Sequence, residues 1–321
     1  LLTLNVNIKK VFAPEHGFRG DADAGESVAD EKDFKTGLPI LSLYGKDKKP
    51  SKESLEGISL MLFDLQDVGV RFYTYLSTLH YIMEACAENG IPLILLDRPN
   101  PNVHYTDGPV MEEDCKSFVG MHPVPIVSGM TIGEYAKMIN GEGWLTDGIQ
   151  CNLTVIPIKN YTHQTPYEIL LRPSPNLPNT LSIELYPSLC LLEQTVISVG
   201  RGTEMQFQIY GHPKLPKTDF TFIPQPNYGS KNPKLKNKLC YGSDLRDFGR
   251  PKRIELKWLI QSYNNFPEKE NFFKKSFYRI AGNKKLEKQL GLGMTEKQIR
   301  KTWGKDLQAF KKIRKKYLIY P

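Results

Sequence analysis

Carboxylates, arginines and tyrosines that follow apolar runs are the residues of this 321-residue chain whose types and spacing could do chemistry. Glu15, His16 and Arg19 follow KKVFAP. Asp64, Gln66, Asp67, Arg71, Tyr73 and Tyr75 lie at or beyond the end of ISLMLFDLQ, and Asp97, Arg98 and Asn100 close or follow IPLILLD. A single Asp after a strand is ordinarily a turn former or helix cap. Three such clusters delivered to one rim describe a polar site instead. Paired carboxylates, one held protonated by burial, are the apparatus of glycoside hydrolysis. Tyrosine rings stack on sugar faces, and an arginine clamps a carboxylate through two hydrogen bonds.

Other chemistries find no support. GFRGDADAG is not a G-x-G-x-x-G loop and no Walker loop occurs, so nothing cradles a nucleotide phosphate. No G-x-S-x-G elbow is present. The later histidines, at 80, 104, 122, 163 and 212, have no metal-ligand spacing. His16 with Asp64 and Asp67 makes an incomplete metal set, so neither metal nor organic cofactor is expected.

The elements that must carry these residues alternate. KKVFAP reads as a buried strand ending at Pro14, and Ile58–Gln66 as a near-continuous apolar strand covered on both faces. TYLSTLHYIMEACAENG places Leu76, Leu79, Ile82, Met83 and Cys86 at helical spacing and stops at Asn89-Gly90. Ile91–Asp97 is a further buried strand, which makes a βαβ crossover and a parallel sheet. Thr131 and Glu134 form a capping box for a helix over GMTIGEYAKMINGEG, and Cys151–Lys159 is the next strand. This is an open, doubly wound α/β layer, and ligands bind such layers outside the carboxyl ends of the strands. The strands near Val11, Leu62 and Leu95 are expected side by side, with Glu15, Asp64 and Asp97 at one rim. RPSPNLPNT, residues 172–180, breaks the rhythm and marks a domain crossing. A helix over IELYPSLCLLEQ follows, then a mixed third that closes in a helical tail with Thr295 as a helix cap.

Composition sets the outer limits. The chain is 40% hydrophobic and 24% charged, with 43 Lys and Arg against 35 Asp and Glu, a formal charge of +8. No apolar run approaches the roughly 18–20 residues that cross a bilayer. Five scattered cysteines without a C-x-x-C pair argue against a disulfide or zinc framework. The late lysine runs, Lys231–Lys238, Lys284–Lys288 and Lys311–Lys316, carry no interleaved base-stacking aromatics. They read as solvated helical faces rather than a nucleic-acid surface. Leu1 is not Met and the chain enters almost at once into a strand, so upstream residues, including any export signal, are expected to be missing.

FAPEHGFRG, FDLQDVGVRFYTY, LLDRPNPN, GMTIGEYAKM, PSPNLPN, LLEQTVISVGRGTE and the closing IR…W…F…IR…YLIY occur in this order. In these blocks the chain resembles the YbbC/NamZ-like family of exo-β-N-acetylmuramidases, over essentially its whole length. The resemblance implies a Rossmann-like doubly wound parallel sheet over residues 1–175, lacking the family's first strand. It implies a smaller C-terminal α/β domain over 176–321, with the site in the cleft between the two. Val103 and Ser128 depart from the family pattern.

The implied activity is release of N-acetylmuramic acid from the non-reducing end of peptidoglycan fragments by a periplasmic or envelope-associated protein. Glu15, in the family's PEHG motif, is then the general acid, with His16 or Asp67 orienting it. Asp64 is the second carboxylate, with Glu193 and Glu204 as competitors from the second domain. Arg71 and Arg201 are the candidates for the lactyl carboxylate of muramic acid. Arg19, Gln66, Tyr73, Tyr75 and Asn100 complete the substrate-binding set. The substrate's 2-acetamido group could instead be the nucleophile. A non-catalytic envelope protein that binds peptidoglycan or another anionic glycan is the alternative.

Overall fold

A computed structural model describes residues 1–20, 25–26 and 29–321. The strands are β1 (Val11–Ala13), β2 (Glu31–Lys32), β3 (Pro39–Ser42), β4 (Met61–Phe63), β5 (Leu93–Leu96), β6 (Leu153–Ile156), β7 (Ile209–His212), β8 (Thr221–Phe222) and β9 (Cys240–Asp244). The helices are α1 (Tyr75–Glu88), α2 (Ile132–Gly141), α3 (Thr180–Glu193), α4 (Lys257–Asn265), α5 (Phe277–Ala281), α6 (Lys285–Gly291) and α7 (Glu296–Arg314). The architecture is mixed α/β. β4, β5 and β6 form a parallel sheet in that order, joined through α1 and then α2.

Local chemistry explains the helices. The side chain of Thr131 accepts from the Glu134 amide and Glu134 returns the bond to Thr131, so the capping box of α2 is present. Asn179 with Ser182 caps α3, and Thr295 with Gln298 caps α7 in the same way. On α1 the face Leu76, Leu79, Ile82, Met83 and Cys86 is buried in one core with Phe63, Leu93, Leu95, Tyr135 and Ile139. A second core joins Phe72, Leu185, Leu189, Phe207, Trp258, Phe272 and Phe277. Ile299, Trp303 and Leu307 of α7 belong to this second core, while Phe310, one turn on from Leu307, belongs to the first.

The strand near Val11 is not where the pattern put it. Among the described residues β1 pairs in parallel with β3, Val11 opposite Ile40, rather than with β4. Strand pairing is non-local, and an apolar run does not name its partner. The β4 run is also not covered on both faces. Met61 and Phe63 are buried while Leu62 between them is exposed, and Ile156 on β6 is exposed likewise.

The C-terminal segment returns to the first sheet. Tyr320 donates its hydroxyl to Asp97 at 2.6 Å, the Ile319 amide reaches Glu134 at 2.9 Å, and the His163 amide donates to the Pro321 carbonyl at 2.9 Å. The segment at 164–173 lies on the surface with Leu170 and Leu171 almost fully exposed. The run Lys231–Lys238 is not helical. Its Lys234 turns inward and donates to the carbonyls of Glu193, Thr195 and Ile197 at 3.2, 2.7 and 2.7 Å, capping the end of α3. All five cysteines are buried free thiols.

Candidate active site

Pro14 ends β1 and a tight turn follows, closed by the Gly17 amide on the Pro14 carbonyl at 3.0 Å. His16 and Gly17 both have positive φ, 74° and 76°, which rolls the backbone over and leaves Glu15 and His16 buried. Glu15 is held at both oxygens. Oε1 accepts from the Gly25 amide at 2.9 Å and Oε2 from the Thr74 hydroxyl at 2.5 Å. Thr74 is the N-cap residue of α1, so the carboxylate lies at the positive end of that helix. The Tyr75 hydroxyl reaches the Glu15 carbonyl at 3.4 Å. Burial, and then the adjoining Glu15 carboxylate, push the Tyr44 phenol above its ordinary range. Neither Thr74 nor Tyr44 stood out in the sequence, although the FYTY block could have pointed to Thr74.

The DLQD block splits. Asp64 is exposed and ion-paired with Arg98, whose Nε donates at 2.6 Å. Asp67 turns inward. Its Oδ2 accepts from the Gly69 amide at 2.6 Å, while Oδ1 is buried without a partner among the described residues. Burial raises its pKa to about 7, against the lowering effect of the Gly69 and Val68 amides. The carboxylates of Glu15 and Asp67 both act on Tyr75, whose hydroxyl is raised to about 12, mainly by burial. Tyr73 packs edge-on to Tyr75 with centroids 4.8 Å apart and donates to the Pro173 carbonyl at 2.5 Å. Gln66 donates to the carbonyls of Asp67 and Pro99, both at 2.8 Å, and accepts from Tyr167 at 3.3 Å. Glu15, Asp67, Tyr73, Thr74 and Tyr75 are thus gathered where β1 and β4 deliver the chain to the start of α1.

Several expected ligand residues are committed to the scaffold. Arg71 is fully enclosed, and its guanidinium donates to the carbonyls of Pro109, Val124 and Ile280 at 3.1, 2.9 and 2.9 Å. Arg201 makes a two-point pair with Glu193 at 2.6 and 3.0 Å and lies over the Phe207 ring. That pairing lowers the Glu193 carboxyl against the opposing effect of burial. Neither arginine is placed to read a lactyl carboxylate. Asn100 bonds the Met130 carbonyl and the Asn102 amide, and Asp97 accepts from Arg98, Gly133, Thr131 and Tyr320, so both are joints of the fold. Glu204 is exposed. Arg19 donates to Asp33 at 3.0 and 2.6 Å on the outer side of the Glu15 turn.

Two family models match the chain: the N-terminal part of exo-β-N-acetylmuramidase NamZ over residues 1–181 and its C-terminal part over 184–320. The peptidoglycan β-N-acetylmuramidase NamZ of Bacillus subtilis (strain 168) is 38% identical over 337 aligned positions, covering 98% of this chain and 80% of the relative. Two crystal structures of DUF1343 family proteins from Bacteroides fragilis NCTC 9343 share the fold. The first is 45% identical with a TM-score of 0.92, covering 100% of this chain and 88% of that one. The second is 28% identical with a TM-score of 0.83, covering 99% and 87%. With consecutive family models spanning nearly all its length and this relative at 38% identity, the chain belongs to the exo-β-N-acetylmuramidase NamZ family.

Proposed function

We propose that this chain is an exo-acting β-N-acetylmuramidase, a glycoside hydrolase that releases N-acetylmuramic acid from the non-reducing end of peptidoglycan fragments. The observation that carries the reading is Glu15, a buried carboxyl group oriented at both oxygens at the head of α1 in a chain of the NamZ family. Glu15 protonates the departing glycosidic oxygen as general acid. Thr74 and the Gly25 amide set its direction.

The nucleophile is read from what surrounds it. Asp64 is neutralised by Arg98 on the surface, and Asp67 is enclosed beneath the Tyr73–Tyr75 turn. These positions favour the substrate's own 2-acetamido oxygen as nucleophile, with Asp67 as a positioning residue. The finer architecture belongs to the same proposal. Residues 1–175 form a Rossmann-like domain and residues 176–321 a smaller α/β domain, with the saccharide entering the cleft between them. The protein works in the periplasm or cell envelope, where its substrate is.

Glu15→Gln keeps the side chain's shape and removes the proton. Release of free muramic acid from a disaccharide carrying it at the non-reducing end should fall on the order of 10²–10⁴-fold, with binding of that disaccharide retained. A wild-type chain that binds the disaccharide and releases nothing would make it a glycan-binding protein instead.

A further inference from the structure

Immediately downstream of Glu15 the chain exposes aromatic surface in an unusual arrangement. Phe18 is 40% exposed, Phe34 81% and Tyr228 60%. They come from three separate stretches of chain and meet around Arg19-Gly20. The Arg19 guanidinium lies over the Phe18 ring at 4.7 Å and over Phe34 at 5.6 Å, and the Tyr228 hydroxyl reaches the Gly20 carbonyl at 3.4 Å.

This group is held firmly from below. Asp33 is buried. One of its oxygens takes Arg19 at 3.0 and 2.6 Å, and the other takes the Thr36 amide and hydroxyl at 2.9 and 2.5 Å. The Thr36 hydroxyl first, and then Arg19, hold the Asp33 carboxyl below its ordinary range. A ring that is four-fifths in water gains little from burial. Two exposed rings fixed at one guanidinium, with a third exposed ring tied to the next carbonyl, fit a role as a recognition surface rather than as core.

We propose that Phe18, Phe34 and Tyr228, gathered at Arg19-Gly20, form a shelf for the leaving-group saccharide, the sugar on the far side of the bond that Glu15 protonates. The proposal rests on the muramidase reading. Continuity places the shelf: Phe18 and Arg19 stand three and four residues after Glu15 in one run of turns. Exposure chooses the side of the bond. An exo-acting site encloses the terminal sugar, whereas the departing chain projects into solvent, where these rings are. Aromatic faces take the C–H face of a sugar ring, and the guanidinium between them is a donor for acetamido or carboxylate oxygens.

The test compares two substrates of the wild type, Phe34→Ala and Tyr228→Ala. Both rings are largely in water, so their removal leaves folding intact. For the disaccharide, each variant should raise KM about tenfold, roughly 1.4 kcal/mol, with kcat within about twofold. For trifluoroethyl β-N-acetylmuramide, which has no leaving sugar and no aromatic group, kcat/KM should stay within about twofold. Equal losses on both substrates, or no change on the disaccharide, overturn the shelf. Calorimetric binding of the disaccharide to the same variants separates the two readings. Affinity that depends on Phe34 in a chain without hydrolytic activity overturns the muramidase reading and leaves these rings as a saccharide-binding surface with no leaving-group role. Affinity indifferent to Phe34 overturns the shelf.

Discussion

Asp67 and Arg71 stand four residues apart in one sequence block, and each does something its residue type did not announce. Asp67 keeps an unpartnered buried oxygen, and burial lifts its pKa from 3.8 to about 7. The sign of the consequence follows from linkage. Between pH 4 and 7 the folded chain holds a proton that the unfolded chain has released, so folding stability falls as pH climbs through that window and is lowest above it. Asp67→Asn removes the buried charge and keeps an acceptor for the Gly69 amide. It should stabilise the protein at pH 8 on the order of 2–4 kcal/mol and change little at pH 4, read by chemical denaturation at the two pH values. Arg71 is a buried cation whose two terminal nitrogens donate to carbonyl oxygens alone, with Ile280 supplied from α5, while its Nε is without a partner among the described residues. Nothing in DVGVRFYTY forecasts a partner 209 positions away. For that reason the arginine that looked like a substrate clamp proved to be a brace. The strand end at Pro14 was legible because the residue that sets it is local in sequence.

Among the elements, the helices and the parallel β4–β5 crossover were readable, and the neighbour of β1 was not. The caps at Thr131, Asn179 and Thr295 are local contacts between positions three apart, and the buried stripe of α1 repeats at helical spacing. The pairing of β1 with β3, by contrast, depends on chain closure between distant segments. A buried polar chain linking α1 to α2 was equally invisible. His80 Nδ1 lies 3.0 Å from His122 Nε2, and His122 Nδ1 lies 3.0 Å from the Tyr135 hydroxyl. Trp144 stacks on His122, and Glu84 stands 3.6 Å from His80. Burial lowers the His80 pKa from 6.5 to about 4 and drives His122 well below its ordinary value. Both rings are neutral in the fold, whereas the unfolded chain protonates them near 6.5. The stability they contribute is therefore complete above pH 6.5 and is lost as pH falls toward 4. In an Asp67→Asn background, which removes the opposing titration of Asp67, the urea midpoint should drop from pH 6.5 to 5. His122→Gln, which bonds without titrating, should flatten that slope.

At the scale of the whole molecule, the two cores are laced together by three separate ties. The α7 helix contributes to both, Arg71 joins the loop after β4 to α5, and Tyr320 closes on Asp97 and, through the Ile158 amide, on the segment after β6. Each tie connects sequence before residue 164 to sequence after residue 173. The surface stretch between those positions, with Leu170 and Leu171 in water and Arg172 beside them, is crossed by none of the three. A polypeptide cut there is therefore still one object. Brief thermolysin treatment at the exposed Leu170–Leu171 bond should yield two fragments that co-elute in native size exclusion and separate only in denaturant. The halves expressed as separate chains should reconstitute muramic acid release on mixing. Tyr320→Phe removes one tie and should weaken that complementation about 10–100-fold, the effect of two buried hydrogen bonds of roughly 1–1.5 kcal/mol each. The backbone bond between Leu170 and Leu171 is thus the place where this protein can be made into a two-part reporter, its activity counting encounters between whatever is fused to each half.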